Sequence, residues 1–402
     1  MEWYEINIAG QLDSPAVLLY PGRIKENIRQ CLALVKDPSS IRPHVKTSKI
    51  GEVCQLMLDA GITKFKCATI AEAEMLGMLH APDVLLAYQP VGPKMTRFIK
   101  LVKSFPGTKF SCLVDTEEIA VELSEQASVA GLVIPVFIDL NVGMNRSGIR
   151  PQSAFELFRT IDKLPGLHFE GLHAYDGQLH DIDLAINRAR ALEAFDEVNL
   201  LSDKISEFGY KGLTIVAGGS VTFPVYRSLE SNDAKTADDH GELIKTDQVH
   251  QKDHSTDPRV ASGPDRHIES SPGTFIFWDW GYKHLLPDEP FDYAAVILTR
   301  VVSIVSDELI CIDLGHKSVA SENPLPRVHF LNAPDAVPVS HSEEHMVLKV
   351  PADAGYRMGD ILYGVPVHIC PTISMYEEVA VINNNELEGK WKVTARNKKI
   401  TI

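Results

Sequence analysis

Apolar residues in this chain gather into short, nearly continuous runs. Each run is followed by a longer segment in which apolar positions recur every three or four residues. Eight runs read as strands before residue 221: Pro15–Tyr20, Ile41–Lys46, Lys64–Thr69, Asp83–Tyr88, Lys109–Asp115, Ile134–Leu140, Phe169–Asp176 and Leu213–Ser220. Continuous rather than alternating apolar character belongs to parallel strands covered on both faces. Between them, Arg23–Val35, Ile50–Ala60, Ile70–Leu79, Lys94–Lys103, Glu117–Ala130, Pro151–Leu164 and Ala185–Phe208 carry helical spacing. This alternation predicts an α/β fold, a (β/α)8 TIM barrel, with a doubly wound sheet as the alternative.

The pattern lapses from Arg227 to Ser270. Only nine of these 44 residues are apolar, against ten acidic and six basic side chains. Such a stretch contributes little to a core, and a disordered insertion is expected. Its histidines (His240, His250, His254, His267) show no metal-ligand spacing and read as solvated. Strand-like runs then dominate: Thr274–Asp279, Ala294–Ser303, Glu308–Asp313, Met346–Pro351, Ile361–Pro366 and Val379–Ile382. They predict a second, mostly antiparallel β domain, which Trp3–Ile8 is expected to join as a strand. The expected division is a barrel over residues 10–290, containing the 227–270 insertion, and a β domain over 291–402 with 1–9.

Composition narrows the function classes. The 402 residues carry 39 basic and 54 acidic side chains, a net charge of −15. That balance argues against nucleic acid and anionic membrane as partners, since both select basic surfaces. No run approaches the ~20 apolar residues of a membrane span. The opening residues carry Glu2 and Glu5 and lack the basic stretch of a secretory leader, so a cytoplasmic protein is expected. Six cysteines without paired spacing read as reduced thiols.

In a barrel, chemistry collects where strands end at their carboxyl side. Those positions hold Lys46, Thr69, Gln89, Asp115, Asn141–Arg146, His173, Tyr175, Asp176 and Gly218-Gly219-Ser220. Lys46 closes an apolar strand, where lost hydration makes an amine a usable nucleophile or Schiff-base partner; a lysine reaching out to solvent is the other reading. Gly218-Gly219-Ser220 offers unobstructed backbone N–H groups and a hydroxyl for an anion such as phosphate, or a plain turn. In His368-Ile369-Cys370, residues two apart in a strand share a face, so imidazole and thiolate converge as zinc ligands do. Two buried core side chains are the alternative.

These residues bring out a resemblance. Arg42-Pro43-His44-Val45-Lys46-Thr47-Ser48-Lys49 resembles the RPHVKTHK pattern of the D-threonine aldolase and D-serine dehydratase family, alanine-racemase-like (fold-type III) pyridoxal-phosphate enzymes. Phe65–Glu74, Asp139–Gly148, Gly171–Gly177, Ser271–Asp279 and His368–Thr372 extend it along almost the whole chain apart from 227–270. It implies that Lys46 binds pyridoxal 5'-phosphate covalently and that Arg146 contacts the phenolate oxygen. His173 and Tyr175 would line the ring, with Thr69 nearby. Gly218, Gly219, Ser220, Gly273 and Thr274 would hold the phosphate. His368 and Cys370 would bind a divalent metal, zinc before manganese, in a homodimer. Two positions depart from the pattern: Ser48 replaces the family's second histidine, and Ser271 replaces the arginine that faces the pyridine nitrogen in alanine racemases.

The implied activity is a lyase on small D-3-hydroxy amino acids, first of the D-threonine aldolase kind, releasing glycine and an aldehyde. The alternative is a zinc-dependent dehydratase (ammonia-lyase) of D-serine or D-3-hydroxyaspartate. Amino-acid racemisation and non-catalytic carriage of pyridoxal phosphate are further readings.

Overall fold

The computed structural model describes residues 1–181, 183–230 and 266–402. The chain opens with β1 (Ala16–Leu19), α1 (Pro21–Ala33), α2 (Gly51–Asp59), β2 (Lys64–Cys67), α3 (Ile70–Met78) and β3 (Asp83–Leu86). Next come α4 (Pro93–Ser104), β4 (Lys109–Val114), α5 (Glu117–Val129), β5 (Ile134–Leu140), α6 (Pro151–Ile161) and β6 (Leu167–Ala174). The α/β part ends with α7 (Leu184–Glu207), β7 (Leu213–Ala217), α8 (Phe223–Glu230), β8 (Arg266–Ser270) and α9 (Trp280–Leu285).

Strands β2 to β8 form one parallel sheet in sequence order. Residues Ile41–Val45 close it: Ile41 bridges Ser270 of β8, and His44 bridges Lys66 of β2, both in parallel. The backbone N–H of Arg42 donates to Ser270 and that of Val45 to Lys66, at 2.8 and 2.9 Å. Pro43 has no N–H, which breaks the ladder and leaves this eighth stave irregular. The architecture is the expected barrel, but two staves differ from the sequence reading. The Pro15–Tyr20 run, expected as the first stave, pairs elsewhere. The last stave is β8, inside the stretch expected to be an insertion. Its sequence, Arg-His-Ile-Glu-Ser, hides a strand because the inward Glu269 is buried by ion pairing rather than by apolar character. The 227–230 end of that stretch likewise completes α8, while residues 231–265 lie outside the described residues.

The second sheet contains β9 (Ala295–Ser306), β10 (Leu309–Ile312), β11 (Val328–Phe330), β12 (Val337–His341), β13 (Met346–Lys349), β14 (Ile361–Pro366), β15 (Glu378–Asn383) and β16 (Glu386–Lys392), with α10 (Ile369–Ile373) after β14. It is antiparallel except where β1 runs parallel to β15. Flanked by β9 and β15, β1 is a central strand, hence its fully apolar run. Trp3–Ile8 forms turns instead of the expected strand, yet Tyr4 and Ile6 pack with Leu18, Tyr20, Val296 and Tyr363. Thr274–Ile276 is a short 3-10 turn rather than a strand.

Inside the barrel, Leu85, Leu113, Phe137 and Val216 form an apolar layer. A buried ionic layer accompanies it: Arg42 pairs with Asp83 (2.5 Å) and Glu269 (2.6 Å), and Lys64 with Glu269 (2.5 Å). At the carboxyl end the β domain meets the barrel. The N–H of Gly281 donates to Val367 at 3.1 Å and that of Ala395 to Lys49 at 3.1 Å.

Candidate active site

Several barrel staves aim side chains at one ring. The Ile41–Val45 segment delivers Lys46, β2 delivers Lys66, and the loop after β5 delivers Arg146 behind Asn145 in left-handed backbone (φ 55°). Lys46 Nζ lies 5.6 Å from the centroid of Tyr175, Lys66 Nζ 5.6 Å and Arg146 Cζ 5.0 Å. Cations at this range are attracted to an aromatic face. Three expected site residues, Lys46, Arg146 and Tyr175, are thus gathered, together with one unexpected lysine.

His173 lies beside them in β6. Its Nδ1 is 2.7 Å from Asp139 Oδ1, whose other oxygen accepts from Ser147 Oγ at 2.9 Å. Burial lowers the His173 pKa, outweighing the Asp139 hydrogen bond, so the ring is neutral at pH 7. The Asp139 contact assigns its proton to Nδ1. The buried Nε2 has no partner among the described residues. Such an atom calls for a ligand or water. Burial, then Lys46 and Lys66, hold His44 well below the usual imidazole value.

The anion cradle follows β7. Gly218 has φ 64°, and a Cβ there would meet Thr222 Oγ1 at 2.5 Å; one on Gly219 would meet the Tyr175 ring at 3.0 Å. The amides of Gly273 and Thr274 both donate to Ser220 Oγ at 3.1 Å. Two N–H groups converging on one oxygen form an anion nest. A Cβ on Gly273 would press on His44 O and Thr47 Oγ1, each at 3.0 Å. This Cβ-free, donor-rich concavity fits a phosphate monoester. Asp176 braces it, accepting from Thr222 Oγ1 and Tyr226 Oη at 2.8 Å each.

A cavity of about 340 Å³ opens beside the cradle, lined by Tyr175, His180, Gly219, Ser220, Tyr282 and His368. His368 precedes α10, and Cys370 lies in its first turn. Pro371 suits the first turn of a helix and could not donate in a ladder, which is why the expected strand is absent here. The two side chains still meet. Burial pushes the Cys370 thiol up, but the His368 hydrogen bond and charge outweigh it and hold it below the usual thiol value. Burial works against the His368 cation, yet the thiolate and Glu322 raise it to about 9. Glu322 Oε1 meets His368 Nδ1 at 2.5 Å. Imidazole, thiolate and a carboxylate behind the imidazole make a zinc-type donor set. Among the described residues no group of three or more His, Cys, Asp and Glu is arranged to hold a metal, so His368 and Cys370 would be the protein's own ligands for one here.

The pair adjoins the rest of the site. Cys370 Sγ lies 3.2 Å from Thr47 Oγ1 and 3.6 Å from Thr274 Oγ1. The buried Asp279 accepts from Tyr282 N (2.9 Å) and Ile369 N (3.0 Å), tying α9 to α10. The Thr69 hydroxyl, just after β2, caps α3 by accepting from Glu72 N at 3.1 Å. The Ser271 hydroxyl donates to Arg42 O at 3.0 Å. Sequence reasoning missed Lys66, Asp139, Asp279 and Glu322 as site components, while Thr47 lay among the strand-end positions. The available signal for Lys66 was a charged residue inside a strand-like run.

Comparisons with known proteins identify the family and the fold. Residues 20–230 match the family model for the alanine racemase N-terminal domain, and residues 294–382 match a second model, of a serine dehydratase domain. A D-threonine aldolase of Arthrobacter sp is 24% identical over 393 residues, 96% of this chain and 93% of that protein. Among solved structures, D-threonine aldolase from Filomicrobium marinum superposes with a TM-score of 0.82 at 24% identity, covering 98% of each chain. D-threo-3-hydroxyaspartate dehydratase from Delftia sp. HT23 superposes at 0.73 with 18% identity, covering 96% of this chain and 98% of that one. The superpositions carry the fold, and the sequence match carries the membership: the chain belongs to the alanine racemase N-terminal domain family.

Proposed function

We propose that the protein is a pyridoxal-phosphate-dependent lyase that splits D-3-hydroxy amino acids between Cα and Cβ, as a D-threonine aldolase does, with the help of a divalent metal. The observation that carries this reading is the 3.2 Å contact between Cys370 Sγ and Thr47 Oγ1, next to Lys46. It supports the reading because the segment that carries Lys46 touches one member of the His368–Cys370 pair.

In this reading Lys46 supplies the amine that holds the cofactor. Gly218, Gly219, Ser220, Gly273 and Thr274 hold its phosphate, and Arg146, His173 and Tyr175 hold its ring. When bound, the cofactor supplies an electron-withdrawing ring and the metal a Lewis acid. Asp139 retains the Nδ1 proton of His173, keeping the Nε2 lone pair turned to the site as an acceptor. Glu322 steadies the His368 ring through Nδ1, so the imidazole and the Cys370 thiolate meet at a fixed separation. A thiolate ligand favours zinc over the harder manganese.

Dehydration of the same substrates is the second reading, favoured by that thiolate. A cysteine-to-alanine variant of a D-threo-3-hydroxyaspartate dehydratase has been solved in a metal-free form. Incubating metal-loaded enzyme with D-threonine and with D-serine separates the two. Glycine and acetaldehyde, abolished by chelator, are expected; pyruvate and ammonia from D-serine without any glycine from D-threonine overturn the first reading.

The same reading takes the protein as a cytoplasmic homodimer acting on small molecules, with neither nucleic acid nor membrane as partner. No helix among the described residues is long and apolar enough to cross a membrane. It also takes residues 10–290 as the cofactor domain and 291–402 with 1–9 as the β domain.

A further inference from the structure

One amine near the site has no part in this reading. Lys66 points inward from β2 and is 2% exposed. Its ammonium has no hydrogen bond or ion pair among the described residues and lies 5.6 Å from the Tyr175 ring centroid. Charged and titratable groups face it from every side. Lys46 at the mouth and Arg42 oppose its charge, while Asp176 and Asp139 favour it. His44 and His173 are coupled to it, and Arg146 shares the same ring. Both carboxylates are engaged elsewhere: Asp139 with His173 and Ser147, Asp176 with Thr222 and Tyr226. A buried, unpaired ammonium is costly and is relieved by losing its proton or gaining an anion. Burial first, then Lys46, brings this amine down to about 7.

We propose that Lys66 is the counter-charge for an anion bound at Tyr175, taking up a proton from solvent when pyridoxal phosphate enters the site. The inference rests on the cofactor reading above and deepens it. An anion in this poorly screened barrel mouth favours the charged amine, and by linkage the charged amine favours the anion. The only bond formed at Lys66 is N–H, from its lone pair and a solvent proton. The anion binds the protonated form. Affinity is therefore full below about pH 7 and falls, by up to about tenfold per pH unit, as pH rises through that value.

The test adds pyridoxal phosphate to weakly buffered protein at about pH 8 containing a pH indicator, with cofactor absorbance reporting binding. The wild type is expected to take up about one proton per site more than Lys66→Met. Lys66→Arg keeps a permanent charge; it is expected to bind with wild-type affinity at neutral pH and without that extra uptake. Protons exchanged at Lys46 occur in all three proteins, and Lys66→Arg, which keeps the charge that Lys46 feels, is the control for them. Binding with equal uptake in the wild type and Lys66→Met overturns the inference alone. Should Lys66→Met not fold, equal uptake in the wild type and Lys66→Arg overturns it instead. No absorbance change in the wild type removes the cofactor reading and the inference with it.

Discussion

Lys46 is available because its stave stops there. Val45 still donates to Lys66 in the barrel ladder, and the following side chain is released towards Tyr175. Lys49, three residues on, is committed to an ion pair with the buried Glu72. Lys46→Ala is therefore expected to give no borohydride-trappable cofactor adduct on peptide mass mapping, while Lys49→Ala keeps it. Persistence of the adduct in Lys46→Ala would show that another lysine holds the cofactor. Lys46 was legible in the sequence because position at a strand end needs no knowledge of strand faces. Lys66 was not. Whether Lys64 and Lys66 point inward depends on which face of β2 lines the barrel, and that is settled only when the sheet closes.

Among the elements, α10 brings two side chains together by a route other than the expected one. His368 and Cys370 were expected to converge through strand alternation; they converge because one precedes a helix and the other sits in its first turn. Asp279 aims that helix. Its two oxygens accept from the starts of α9 and α10, fixing the His368–Cys370 pair beside Thr47 and Thr274. Asparagine offers one acceptor oxygen where aspartate offers two, so in Asp279→Asn one helix start loses its anchor. Zinc affinity, measured by competition with a chromophoric chelator, is expected to fall about 10-fold or more, as for residues that orient metal ligands. The cradle and Lys46 lie on other elements, so cofactor absorbance should stay as in the wild type. The helices read from spacing fall within a few residues of those found, because amphipathic periodicity is local. The β8 stave escaped because its burial is ionic.

For the molecule as a whole, barrel closure is the step that unites distant chain. Residue 42 lies beside residues 83 and 269, and all three charged side chains are largely withdrawn from water. Burial alone would raise the Glu269 carboxyl, but Arg42 and Lys64 outweigh it and hold it below the usual carboxylate range. A carboxylate with a lowered folded pKa stabilises the fold above its unfolded value of about 4.3. That stability is lost as pH falls through the folded value. Glu269→Gln keeps the volume and removes the charge, leaving Arg42 with Asp83 alone and Lys64 without an ion-pair partner. Breaking a buried pair from one side costs about 3–5 kcal/mol. Urea unfolding at pH 7 should show a loss near the lower end of that range, since Asp83 remains. The gap between wild type and variant should then narrow as pH falls below the unfolded carboxyl's value of about 4.3 and on through the lowered folded value. A gap that stays constant across that range would mean that Glu269 acts through shape alone and that ion pairing does not close the barrel.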